Sequence, residues 1–88
     1  MKTNFYLVND ADDYKDVDVY VKRDTGEEWL FRVYLEKETG EIVECDARHA
    51  KDENDVFSDE VGGEPPEVRS AYESVKNQVI EKLRGEAA

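Results

Sequence analysis

Alternation of apolar and polar positions is the clearest signal in the chain. From Asp16 to Arg23 the order places Val17, Val19 and Val21 on one side and Asp18, Tyr20 and Lys22 on the other. Successive side chains of an extended backbone point to opposite faces, so β-branched residues at period two predict a strand with one buried face. Glu28 to Glu36 repeats the pattern, with Trp29, Phe31, Val33 and Leu35 opposed by Leu30, Arg32, Tyr34 and Glu36. A weaker third run covers residues 41–49. It is expected to point Val43, Cys45 and Ala47 toward the core and Ile42, Glu44 and Arg48 outward. Residues 4–8 give a short fourth strand. The expected strands are thus 4–8, 16–23, 28–36 and 41–49.

The connections inside this block are alike. Asp24-Thr25-Gly26-Glu27 and Glu38-Thr39-Gly40-Glu41 each set an acid, a threonine, a glycine and a glutamate between strands. Glycine supplies the positive φ that a tight hairpin needs, and the acid is expected to bond the backbone two residues on. Residues 16–49 therefore read as a three-stranded antiparallel meander.

Residues 50–64 show no sustained period. Val56, Phe57 and Val61 are the only large apolar residues there, and they are candidates to pin the segment to the body. A helix over residues 66–84 follows. Val68, Tyr72, Val75, Val79 and Leu83 recur at helical spacing, with Ala71 and Ile80 widening the stripe. Pro65 and Pro66 suit the entry, Lys82 and Arg84 the last turn, and Gly85 the stop. One amphipathic helix and one apolar sheet face each need a cover. The predicted fold is α+β: one domain over residues 1–88, an antiparallel sheet of three or four strands with the C-terminal helix on one face.

Composition narrows the function. With 23 acids against 12 bases in 88 residues, the formal net charge is −11. Most of that surplus lies in two stretches, residues 9–18 and 51–66. Phosphate backbones are gripped by Lys and Arg, so direct nucleic-acid binding is not expected. No apolar run approaches the roughly 20 residues of a membrane span. One cysteine makes no internal disulfide, no apolar signal stretch opens the sequence, and the expected setting is cytoplasmic.

Candidate chemistry is sparse. Cys45 and His49 lie four apart, which on a strand separates them by roughly 13 Å. A structural zinc site asks for four nitrogen or sulfur ligands, and these two are the chain's whole supply. The expectation is a small buried Cys45, an exposed His49 and no metal. Neither Asp10 nor Asp52 opens a calcium loop, because the sixth positions are Lys15 and Phe57 where glycine is required. His49 is the single histidine, no phosphate-cradling glycine loop occurs, and no cofactor or catalytic residue is assigned.

The richest surface is the sheet face opposite the helix. Burial of Trp29, Phe31 and Val33 sends Tyr20, Leu30, Arg32 and Tyr34 to that face, with Ile42 beside them. Tyrosine and arginine combine area, rigidity and hydrogen bonding, which suits an interface. These five residues are the candidate docking patch, and Lys22, Arg32 and Arg48 are expected to make it locally positive. The leading expectation is a small interaction or regulatory module that binds another protein or a second copy of itself. One alternative is an acidic mimic that occupies a nucleic-acid-binding site on another protein. Another is a small enzyme subunit or metal-dependent catalyst around Asp46 and His49.

The surplus charge sets a first test. Like charges repel most in the compact state, and salt screens them over about 10 Å at 0.1 M. The melting temperature should rise between about 10 mM and 150 mM salt. A flat or falling curve in a calorimetric series would show that the acids are already neutralised by local partners.

Overall fold

The computed structural model describes residues 1–52 and 54–85. Along the chain run β1 (Lys2–Asp10), β2 (Tyr14–Lys22), β3 (Glu28–Glu36), β4 (Glu41–Glu44), β5 (Arg48–Ala50) and α1 (Pro66–Leu83). The strands form an antiparallel sheet in the order β1-β2-β3-β4, and β5 also pairs with β3. The class is α+β, with the C-terminal helix packed on one sheet face.

β3 is the central element. It pairs with β2 from Tyr14↔Glu36 to Lys22↔Glu28, and β4 and β5 share its other edge. Cross-strand partners share a face. Val17, Val19 and Val21 therefore join Phe31, Trp29 and Val33 beneath α1, and all six are buried. Val68, Tyr72, Val79 and Leu83 are the buried helix positions. The Phe31 and Tyr72 rings stack at 4.2 Å and 5°, with the Arg69 guanidinium 5.4 Å from the Phe31 centroid. Trp29 keeps its one polar atom satisfied by donating from Nε1 to Glu27 Oε1 at 2.7 Å.

The third strand differs from its expectation in two ways. First, it is broken: β4 ends at Glu44, β5 begins at Arg48, and Cys45 to Ala47 leave the regular ladder. Leu35 pairs with Ile42 but Leu30 pairs with Arg48, so the register with β3 moves by one residue across the break. Ala47 is fully buried there, its carbonyl accepting from the Gly62 N–H at 2.8 Å. Second, its parity is reversed in β4. Glu36↔Glu41 closes the hairpin, so Ile42 follows Leu35 inward and Val43 follows Tyr34 outward. Ile42 packs against the core cluster, and Cys45 is exposed. Alternation within a weak run cannot choose which of its two faces is buried; the length of the hairpin loop does.

The reversed parity has an energetic consequence. Glu44 comes under the helix, where Oε2 accepts from Tyr72 Oη and Oε1 pairs with Lys76 Nζ, both at 2.6 Å. One carboxylate thus ties β4 to two successive turns of α1.

Both hairpin turns use glycine as expected, at φ 94° for Gly26 and 75° for Gly40. The side-chain bond differs: it is the threonine, not the acid, that acts. Thr25 Oγ1 accepts from the Glu27 N–H at 3.4 Å, and Thr39 Oγ1 from the Glu41 N–H at 3.2 Å. At the other end of the chain, α1 begins behind Pro65 with Pro66 in its first turn. It stops at Arg84, followed by Gly85 at φ 58°.

Glu44 gives a pH test. Burial pushes its carboxyl up, but the bonds from Lys76 and Tyr72 outweigh that and leave its pKa below the ordinary 4.5. A lowered folded pKa means the unfolded chain binds the proton more readily. The stabilisation is therefore present above about pH 4.5 and is lost as pH falls through the folded value. Glu44→Gln should lower stability at neutral pH and flatten its decline between about pH 5 and pH 3 in denaturant titrations. An unchanged slope would show that the Lys76 contact carries no linkage.

Candidate functional site

The face of the sheet turned away from α1 follows from the same alternation. Four of the chain's five tyrosines lie on it. Tyr14, Tyr20 and Tyr34 take their places through the β2–β3 register, and Tyr6 through its pairing with Asp18. The fifth, Tyr72, belongs to the core. Tyr6 and Tyr20 meet at 6.1 Å between ring centroids, and Tyr20 meets Phe57 at 6.0 Å.

Under these rings lies an acidic floor. Asp16 and Asp18 are 7% and 4% exposed although no helix covers them. They are short side chains in an inner strand, overtopped by long neighbours. Asp18 sits between Tyr6 and Arg32, and Asp16 sits between Asn9 and Tyr34. Arg32 grips Asp18 with both ends of its fork, Nε to Oδ1 at 2.7 Å and Nη2 to Oδ2 at 3.0 Å. This bidentate bond holds the guanidinium even more firmly charged than usual. Asp16 is less complete. Oδ2 accepts from Asn9 Nδ2 at 3.3 Å, while buried Oδ1 has no hydrogen-bond partner among the described residues. Burial, and then the Asp18 charge, raises the Tyr20 pKa, so this hydroxyl stays a donor across the physiological range.

Of the five residues expected to form the patch, the structure brings Tyr20, Leu30, Arg32 and Tyr34 onto this face. Ile42 lies on the opposite side, against the core, for the parity reason given above. Leu30 is only 9% exposed. Phe57 comes back over the sheet beside it, held by a Ser58 N–H bond to the His49 carbonyl and by a bridge between Arg48 and Val61. Phe57 is thus the pin of its segment, whereas Val56 is 83% exposed. Of the three cations expected to make the face locally positive, Arg32 is bonded to Asp18, Arg48 lies 4.0 Å from Asp59, and Lys22 borders the groove that Tyr6 and Tyr20 line.

Three shallow grooves tile the face. One of about 290 Å³ lies among Leu30, Arg32, Cys45, Asp46, Arg48 and Phe57. Another, about 340 Å³, runs past Asn4, Tyr6, Tyr20, Lys22 and Glu28. The third, about 350 Å³, is bounded by Asp13, Tyr14, Tyr34 and Glu36. None is a closed cavity, and a groove of mixed tyrosine and carboxylate lining suits an extended peptide better than a small apolar ligand.

Asp46 and His49 are not brought together. Asp46 borders the first groove on the outer face, while the His49 ring packs 4.7 Å from Trp29 on the helix side. His49 Nε2 lies 3.3 Å from Glu27 Oε2. Glu27 is a hub: it accepts from Trp29, its other partners are Arg23 and His49, and the Trp29 bond is the main reason its pKa is lowered. Arg23 in turn reaches Glu67 at 2.5 Å in the first turn of α1. This set fastens the end of the sheet to the helix and encloses no pocket. Among the described residues, no group of three or more His, Cys, Asp and Glu side chains is placed to hold a metal ion.

Sequence reasoning placed Asp18 outward but missed the importance of both aspartates. Their signal is visible: two acids at alternate positions in the most strongly alternating strand, with Tyr and Arg opposite. No protein-family model matches the chain, and no curated protein or solved structure matches it. No helix among the described residues is long and apolar enough to cross a membrane.

Arg32→Ala should cost about 1–3 kcal/mol, because it strips the donors from a buried carboxylate. Removing both charges, with Asp18→Val added to Arg32→Met, should recover most of that loss. Equal stability of Arg32→Ala and the unaltered chain in urea titrations would show that water satisfies Asp18 without the arginine.

Proposed function

We propose that the chain is a small protein-interaction module whose tyrosine-bearing sheet face docks a basic segment of another protein. The observation that carries this reading is the combination on one face of four tyrosines with two buried aspartates, one of which keeps an unpartnered carboxylate oxygen. Tyrosine rings bring contact area at little cost in rotamer freedom, and their faces attract Lys and Arg side chains. Of the cations native to the face, Arg32 is bonded to Asp18 and Arg48 lies 4.0 Å from Asp59, which leaves the groove of Tyr14 and Tyr34, lined by no cation, as the one best suited to such a partner. The rim adds Asp13, Glu36 and Glu38 at one groove. At a net charge of −11 the molecule steers basic partners in and turns acidic ones away.

Charge alone would attract any polycation, so the test must separate the face from the acid in general. The probe is a synthetic peptide of alternating Lys, Gly and Arg, with an Asp, Gly and Glu peptide as control, titrated into labelled protein and followed by NMR. Shifts are expected to cluster at Tyr6, Tyr14, Asp16, Tyr20 and Tyr34. Tyr14→Ala combined with Tyr34→Ala should weaken binding about tenfold while leaving the fold intact. Shifts confined to residues 9–13 and 51–60, or equal affinity in the double variant, would reduce the interaction to diffuse charge and overturn the proposal.

A further inference from the structure

β1 is the open edge of the sheet. It is nine residues long and pairs only with β2, so one row of its backbone N–H and C=O groups has no strand beside it among the described residues. Proteins commonly blunt such an edge with charge, proline or a short strand. This edge does the reverse. In a chain that is 40% charged, the longest uncharged stretch is Thr3 to Asn9, and it lies here. Three consecutive residues at its centre are exposed: Tyr6 at 56%, Leu7 at 41% and Val8 at 47%. Leu7 pairs with Val17 and so lies on the helix side, at a position α1 leaves uncovered.

The flanking charges say what fits. Lys2 closes one end of the run, and Asp10, which also accepts from Lys37 Nζ at 2.6 Å, closes the other. A parallel copy would set Lys2 against Lys2 and Asp10 against Asp10. An antiparallel copy sets the basic end of each strand beside the acidic end of the other. We propose that β1 pairs antiparallel with β1 of a second copy of this chain, about a two-fold axis near Tyr6. In that register Tyr6 meets Tyr6, and Phe5 of each copy meets the exposed Leu7 of the other. Antiparallel pairing of equivalent edges requires the axis to run perpendicular to the sheet. Both helices then lie on one side of a continuous sheet, and both tyrosine faces on the other.

The assembly closes at two. The register shift between Leu7 and Asn9 bends β1 and ends the regular ladder. The opposite sheet edge is interrupted at Cys45 to Ala47 and carries Glu41, Glu44 and Arg48, so it offers no second site for growth. The regular ladder then spans Phe5 to Leu7 of each copy, with Lys2 and Asp10 beyond it, a small interface of the kind expected for a reversible dimer rather than a permanent one. The proposal does not rest on the reading of the tyrosine face: it uses the edge of the sheet, and a monomer could still bind a basic partner.

Sedimentation velocity of the full chain over a thousandfold range of concentration should show the mass doubling. Amide exchange at Thr3 to Val8 should slow as concentration rises, while exchange in β3 should not change. Tyr6→Lys places two ammonium groups together at the two-fold and should raise the dissociation constant at least about tenfold with an unaltered melting curve. Tyr6→Cys in a Cys45→Ser background should form an intermolecular disulfide on mild oxidation. Tyr14→Ala with Tyr34→Ala should leave the dimer intact. A monomer throughout the range, or exchange at β1 independent of concentration, would overturn the proposal. So would a dimer that Tyr6→Lys leaves unchanged.

Discussion

β3 is bonded along both of its edges, and its alternation constrains everything around it. Trp29, Phe31, Val33 and Leu35 must go one way and Leu30, Arg32, Tyr34 and Glu36 the other. Every partner strand inherits that choice, because residues opposite one another in a ladder share a face. The valines of β2 are drawn under α1 and its aspartates are drawn out. Ile42 and Glu44 are drawn in. A shift of β3 by one residue would expose the indole and the phenyl ring, bury an arginine against the helix and invert the site with the core.

The two faces resolve their polar groups by different means. On the helix side, the ring donors of Trp29 and Tyr72 bring their partners with them, while buried His49 Nε2 only approaches Glu27 Oε2 at 3.3 Å. Trp29 meets Glu27, and Tyr72 meets Glu44, which Lys76 also neutralises. Such groups fix the angle at which α1 crosses the sheet, since each bond is made in one geometry only. On the outer face the aspartates are buried by neighbouring side chains rather than by another layer. Asp18 is matched by Arg32, and Asp16 is matched at one oxygen. A buried acceptor without a donor is costly. It is tolerated where something else, water or a partner, completes it.

Strong periodicity made much of this legible in the sequence. β2 and β3 declare themselves through Val17, Val19, Val21, Trp29, Phe31 and Val33, and α1 through Val68, Tyr72, Val79 and Leu83. The faces of these elements needed no tertiary information. Residues 41–49 were a different case. They carry one apolar residue on each side at the start, Ile42 and Val43, so local pattern could not choose between them. The choice was made by a long-range pairing, Glu36 with Glu41, and by the buried Ala47. Hence Ile42 left the candidate patch while its other four members stayed. Phe57 was visible as an anchor, but nothing local told which face it would reach. That depended on the kink at Cys45 to Ala47 and on the backbone bonds that follow it.

The acid in the chain serves two opposed ends. A few carboxylates, those of Asp18, Glu27 and Glu44, are structural: each is tied to a cation or a ring donor, and the fold depends on the tie. Of the other twenty acids, ten lie in residues 9–18 and 51–66, where acids most outnumber bases, and these stretches repel anything of like sign, further copies of the chain included. The two proposed contacts answer that repulsion differently. The proposed docking face, whose floor bears the carboxylates of Asp16 and Asp18, would take a basic visitor. The proposed edge contact on β1, uncharged from Thr3 to Asn9, would take a neutral one. Open backbone groups make a strand the natural neutral visitor, and the opposite charges at Lys2 and Asp10 make this same strand, reversed, a fitting one.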